Sequence, residues 1–118
     1  MASDNHVFLR GRLADAAIEK DLPSGDVLVT FRLTVSRPPG ERGRVDSLEC
    51  VSTKPAVRRK LERAEAGDHV EVTGSLRRRF WRSPAGPASR YSVDTSNVRV
   101  IRAGRRAGAR RARKPASA

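Results

Sequence analysis

Apolar residues recur at every second position along most of the chain, and a period of two predicts strands. Over residues 26–36, Val27, Val29, Phe31, Leu33 and Val35 share one face, while Leu28, Thr30, Arg32, Thr34 and Ser36 share the other. The first set is β-branched or aromatic, as suits the core side of a half-buried strand. Upstream, Val7, Leu9, Gly11 and Leu13 alternate with Phe8, Arg10 and Arg12. This predicts an earlier strand in which Gly11 permits a bend or a close backbone approach. Leu22, Pro23, Ser24 and Gly25 make a turn signal between the two.

Residues 37–44 contain two prolines, two glycines and three arginines, and so predict a basic loop. A third strand over 45–53 puts Leu48 and Cys50 on one side and Val51 on the other. The period then changes. Within 55–67, Val57, Leu61 and Ala64 stand at i, i+4 and i+7, a helical face with Pro55 at its start and Gly67 at its stop. A long fourth strand over 68–82 places Val70, Val72, Gly74, Leu76 and Phe80 on one face, interrupted by Arg78. The other face carries Glu71, Thr73, Ser75, Arg77, Arg79 and Trp81. Phe31 and Phe80 are expected in the core. Arg78 is expected to snorkel out at a barrel rim or to sit at a bulge. Residues 83–89 read as a loop and 90–102 as a last strand, irregular near Ser96 and Asn97.

Three strands, one short helix and two strands, in that order, predict an all-β chain: a five-stranded OB-fold barrel with the helix between strands three and four. The domain spans residues 1–102, and the low-complexity segment 103–118 is expected to be a disordered basic tail.

Charge narrows the partner. The chain has 25 Lys plus Arg against 13 Asp plus Glu, a net +12. Six of those cations, Arg105, Arg106, Arg110, Arg111, Arg113 and Lys114, lie in the tail with no acidic residue among them, so half the net charge sits there. GC-rich coding DNA, which makes Arg and Ala abundant, is an alternative account of the tail. It does not account for arginines that cluster by position in the globular part. So basic a chain is drawn to nucleic acid or to an anionic membrane surface. No run approaches the roughly 20 apolar residues of a membrane span. A membrane-surface role calls for a long basic amphipathic helix, which is absent. The lone Cys50 and the lack of a signal-peptide pattern at the N-terminus fit a reducing, cytoplasmic, nucleoid-associated setting.

Catalytic patterns are missing. His6 and His69 have no metal-ligand spacing. No Gly-rich phosphate loop joins a strand to a helix, and no nucleophile elbow appears. The chain therefore reads as a binding protein with no catalytic residue, no metal and no cofactor.

Alternation puts Arg77, Arg79 and Trp81 in one row. Cations that hold phosphates and a flat ring on which a base stacks are what a single-strand binder needs, and stacking is indifferent to base identity. The alternative is that Trp81 packs under a loop or at a subunit interface while the arginines only solvate the strand. Thr30 and Arg32 on the second strand, and Arg42 and Arg44 in the long loop, are candidate phosphate contacts. Tyr91, after Arg90, either stacks on a base or packs across from Trp81. Phe8 stays open between binding and interface packing.

These residues carry a resemblance. Asn5-His-Val-Phe-Leu-Arg-Gly-Arg-Leu13 looks like the opening strand of bacterial single-stranded DNA-binding proteins. Residues 22–37 look like their second hairpin arm. Residues 66–82, followed by Gly86 and Arg90–Tyr91, are similar to their fourth strand and the hairpin into the fifth. The resemblance spans about residues 5–102. It implies an OB barrel that assembles into a homotetramer, and by position Trp81 as the aromatic that stacks on DNA, with Arg77 and Arg79 beside it. Two departures stand out. Asp46–Ser47–Leu48 lacks the aromatic the family places early in the third strand, and Thr53 stands where it often has a Phe. The sequence ends KPASA rather than in an acidic tip, so recruitment of replication enzymes through such a tip is not expected.

The leading expectation is binding of single-stranded DNA, largely without sequence preference, in replication, recombination or repair. The alternatives are a primosomal replication protein N-like OB module contacting a helicase, an RNA-binding or ribosome-associated basic protein, and an interaction domain meeting an acidic protein. Deleting residues 103–118 is expected to flatten the salt dependence of oligonucleotide binding and to leave the preference for single strands intact. Loss of the preference in a filter-binding comparison of single and double strands would move the function from barrel to tail.

Overall fold

The computed structural model describes residues 2–40 and 44–101. In chain order the elements are β1 (Val7–Leu13), β2 (Ile18–Asp21), β3 (Val27–Ser36), β4 (Val45–Ser52), α1 (Pro55–Glu62), β5 (His69–Ser83) and β6 (Gly86–Ile101). The strands hydrogen-bond in the order β1-β5-β6-β4-β3-β2, and β1 also pairs with β3. That extra pairing closes a barrel of five strands, β1, β3, β4, β5 and β6, with one helix between β4 and β5, as expected. All its ladders are antiparallel except β4 with β6, which meet in parallel at Cys50↔Val93 and Val51↔Asp94.

The period-two face of β3 turns inward, and Val29, Phe31 and Leu33 are buried. They pack with Leu13, Cys50, Val70, Val72, Val93 and Val98, while Val57 and Leu61 of α1 join the same core. The helix is shorter than its apolar spacing suggests. Residue 63 caps it, and the Asp68 carboxylate accepts the Glu65 N–H at 2.9 Å in the turn that follows. That turn is tied to β1, since Leu13 N–H donates to the Asp68 carbonyl and Gly67 N–H to the Leu13 carbonyl.

Closure depends on two glycines. At Gly11 a Cβ would run into the Thr34 carbonyl where β1 crosses to β3, so the close approach expected there is real. At Gly74 a Cβ would meet the Asp94 carbonyl. Gly74 adjoins a register shift: Thr73 faces Asn97 but Gly74 faces Thr95, which leaves Ser96 as an extra residue. This bulge is the irregularity expected near Ser96 and Asn97.

The structure departs from the sequence reading in three places. First, β2 was not foreseen. Its four residues are all exposed and show no alternation, and it forms only by pairing with β3 from Ile18↔Thr30 to Asp21↔Val27. Second, the expected loop 83–89 is strand up to Ser83 and again from Gly86, with only Pro84 and Ala85 between. The Ser83 hydroxyl donates to the Gly86 carbonyl at 2.7 Å across this tight turn, and Pro87 is tolerated on a strand with a free edge. Third, Phe80 is not core. It is 70 % exposed, and Leu76 46 %. Both lie on the core-side face of β5, but past the point where the barrel supplies a second layer. Arg78 is likewise beyond the barrel and away from the bulge.

Cys50 is fully enclosed, and burial, with Glu49 adjacent, pushes its thiol up to about 12. The native thiol should resist an aromatic disulfide reagent at pH 8, then react within minutes in denaturant. Because the folded state holds this proton more tightly than the unfolded chain does, stability is level below about pH 8.5 and falls above it. Thermal melts should therefore lose more between pH 8 and 10 in the wild type than in Cys50→Ala.

Candidate nucleic-acid interface

β5 and β6 outrun their partners. The last pair between β1 and β5 is Val7↔Gly74. Two residues further, the Asn5 side chain takes over the ladder. Its Oδ1 accepts the Leu76 N–H and its Nδ2 donates to the Leu76 carbonyl, both at 2.8 Å. From Arg77↔Ser92 to Ser83↔Gly86, β5 and β6 pair with each other and form a two-stranded ribbon. Seven residues of strand carry it about 20 Å from the barrel.

One face of this ribbon holds the row expected from the sequence. Arg77, Arg79 and Trp81 alternate along β5, with Ser92, Arg90 and Ala88 opposite them on β6. Trp81 is 45 % exposed. The Arg90 guanidinium lies 5.9 Å from the centre of the indole and also contacts Glu49 Oε1 at 3.4 Å. Arg77 contacts Asp94 Oδ2 at 3.6 Å. Among the described residues, Arg79 has no carboxylate partner. Glu49, Arg79, Trp81, Arg90 and Ser92 line an open cleft of about 230 Å³. A neighbouring cleft of about 360 Å³ shares Arg79 and Ser92 and continues over Arg77, Arg78 and Asp94 to Leu28, Val51, Ser52 and Thr53. The chain thus brings a half-open indole, several guanidiniums and an apolar floor into one track.

Other candidates fall on or off this track. Thr30 and Arg32 stand opposite Val51 and Glu49 in register, so their side chains share the outer face of the barrel that leads to the ribbon. Arg44 is exposed at the far end of β4, about 17 Å from Glu49 along the strand, and is not brought to the cleft. Arg42 and the tail residues Arg105, Arg106, Arg110, Arg111, Arg113 and Lys114 lie outside the described residues. Tyr91 does not pack across from Trp81. It stands opposite Arg78, and alternation from Arg90 turns it to the other face of the ribbon. Phe8 is 52 % exposed on β1, with the Arg10 guanidinium 5.8 Å from its ring and Arg10 paired to Glu71 at 2.9 Å.

Sequence reasoning missed Arg90 and Glu49 as parts of the cleft. A two-residue turn at Pro84 and Ala85 would have placed Arg90 opposite Arg79, but a seven-residue loop hid that register. A larger cleft of about 650 Å³ lies between α1 and β6, lined by Arg59, Lys60, Arg63 and Arg99 with Glu62. It contains no aromatic ring, and Lys60 already donates to Asn97 Oδ1 and the Val98 carbonyl. Charge alone can hold a phosphate there, but nothing can stack.

The closed barrel, the helix between β4 and β5, and the projecting hairpin define an OB fold. The family model described as the single-strand binding protein family matches residues 4–101, and the chain belongs to that family. Two solved structures share the fold. "Plasmodium falciparum SSB complex with ssDNA" superposes with a TM-score of 0.72 at 23 % identity, covering 86 % of this chain and 96 % of that one. A small single-stranded DNA-binding protein from Streptomyces coelicolor gives 0.66 at 17 % identity, covering 84 % and 95 %. No curated protein matched the chain. Family membership supports single-stranded DNA as the partner, and the two structural likenesses speak to the fold.

Glu49 sits against one of the cations next to Trp81. Glu49→Gln should release Arg90, tighten oligonucleotide binding and steepen the slope of log affinity against log salt by about 1. An unchanged slope in a salt titration would show that Arg90 does not meet phosphate.

Proposed function

We propose that this chain binds single-stranded DNA largely without sequence preference, with Trp81 as its stacking platform and Arg77, Arg79 and Arg90 holding the phosphates. The observation that carries this reading is the Arg77–Arg79–Trp81 row, displayed on a free ribbon and opening onto a basic cleft. A base laid on the indole leaves its backbone among guanidiniums, and stacking is indifferent to base identity. Thr30 and Arg32 extend the track across the barrel. The departures at Ser47 and Thr53 leave it with fewer rings, so charge carries a larger share of affinity than stacking does. No covalent step belongs to this reading. It fits a role in replication, recombination or repair within the cytoplasm. A homo-oligomer fits as well, since the β1 edge facing away from β5 carries no strand alongside Val7–Arg10 among the described residues.

The test is a titration of oligo(dT), poly(A) RNA and duplex DNA at two salt concentrations. Oligo(dT) should bind best, quench Trp81 fluorescence and weaken steeply with salt. Trp81→Ala should cost about 1–3 kcal/mol if one base stacks there. Saturating oligo(dT) with no change in Trp81 emission would remove the stacking role. Equal affinity for the RNA would broaden the partner to single strands of either kind.

A further inference from the structure

The ribbon has a second face, and it is built from the same kinds of parts as the first. Alternation places Leu76, Arg78, Phe80 and Arg82 of β5 on it, with Tyr91 and Ser89 of β6 opposite Arg78 and Phe80. The Arg78 guanidinium lies 4.5 Å from the centre of the Phe80 ring and 5.3 Å from that of Tyr91, so one cation is held between two rings. A hydrogen bond from Arg78 Nη2 to Ser89 Oγ at 3.2 Å fixes its direction. Phe80 is 70 % and Tyr91 57 % exposed, so both rings keep open surface.

We infer that this second face is a separate stacking site for single-stranded nucleic acid, so that one ribbon holds two strand segments, one on each side. The inference rests on the reading that the chain binds single strands, and it adds a site the Trp81 row does not contain.

Charge decides between occupants. Residues 76–91 contain no Asp or Glu. On the Trp81 face, Glu49 and Asp94 reach in from β4 and β6 to offset Arg90 and Arg77. On the second face, no carboxylate pairs with Arg78 or Arg82 among the described residues. A second copy of this chain, itself at +12, would set arginine against arginine there. A nucleotide matches both halves: its base covers a ring and its phosphate reaches the guanidinium. Two occupied faces would let one chain bring together two strands, or two stretches of the same strand folded over the ribbon's tip.

The test is photocrosslinking of the full chain to oligo(dT) carrying 5-iodouracil, with the linked peptides mapped by mass spectrometry. Crosslinks are expected at Trp81 and, independently, at Tyr91 or Phe80. The second set should persist in Trp81→Ala. The exposed pair Phe80→Ala with Tyr91→Ala should weaken oligo(dT) binding by at least about fivefold, while saturating DNA still quenches Trp81. Crosslinks confined to Trp81, with affinity of the double variant within twofold of wild type, would overturn the inference and leave the Trp81 site standing. A change in the mass of the DNA-free double variant by light scattering, with affinity unchanged, would make the face a protein contact and overturn it too. Crosslinks at Tyr91 without any Trp81 quenching would instead remove the Trp81 role and keep the second face.

Discussion

The pairing between β5 and β6 is the constraint on which the rest depends. These strands have 15 and 16 residues, while β1 and β4 have 7 and 8. A barrel can use only as much of a long hairpin as its shorter neighbours can reach. The first half of β5 and the second half of β6 close the barrel against β1 and β4. The end of β5 and the beginning of β6 pair only with each other among the described residues, and most of their side chains have no layer to pack on. A two-stranded hairpin alone is marginally stable in water, so the ribbon holds its shape because the barrel anchors its base. The Asn5 side chain adds one more rung where β1 ends. The anchored, uncovered state is what leaves aromatic rings available to stack.

Legibility in the sequence followed the same boundary. Where a strand packs against a core, its alternation is a direct record of burial, and β1, β3 and the first half of β5 were readable for that reason. The same alternation continues through Leu76 and Phe80, but there it records only which side of a ribbon a residue occupies. Nothing local distinguishes an apolar residue facing a core from one facing solvent on the same pleat. The β2 strand failed for a complementary reason: its exposed Ile-Glu-Lys-Asp has no buried face to leave a pattern. The site row was legible because Arg77, Arg79 and Trp81 lie on a single strand. Its cross-strand members were not, because Arg90 depends on the hairpin register and Glu49 on the parallel contact between β4 and β6. Both are long-range facts.

Electrostatics separates the two sides of the ribbon more than shape does. The Trp81 side is bordered by the barrel, which brings carboxylates with it, and exposed pairs such as Arg77–Asp94 and Arg90–Glu49 contribute little to stability. Their larger effect is on anion binding. Each carboxylate lowers the local positive potential and must be displaced or tolerated by an incoming phosphate. The far side has no such border. Arg78 lies over its own aromatic neighbours rather than against an acid, so its charge stays available to an anion while its position is held.

The departures at Ser47 in β4 and at Thr53 just after it then acquire a physical sense. Neither Ser47 nor Thr53 carries a ring, and Thr53 lines a cleft with Leu28, Val51, Ser52, Ser92, Asp94 and arginines. That wall offers apolar and hydroxyl groups, cations and one carboxylate, but no ring. Of the chain's five Phe, Trp and Tyr residues, Phe31 is core and Phe8 lies on β1, while Phe80, Trp81 and Tyr91 are all on the ribbon. Exposed rings that could be spread around a barrel are here gathered mainly on one projecting element, on both of its faces. The ribbon is a single layer, so a path from one face to the other runs over its tip. The short turn at Pro84 and Ala85, with no acidic residue, leaves that path free of repulsion.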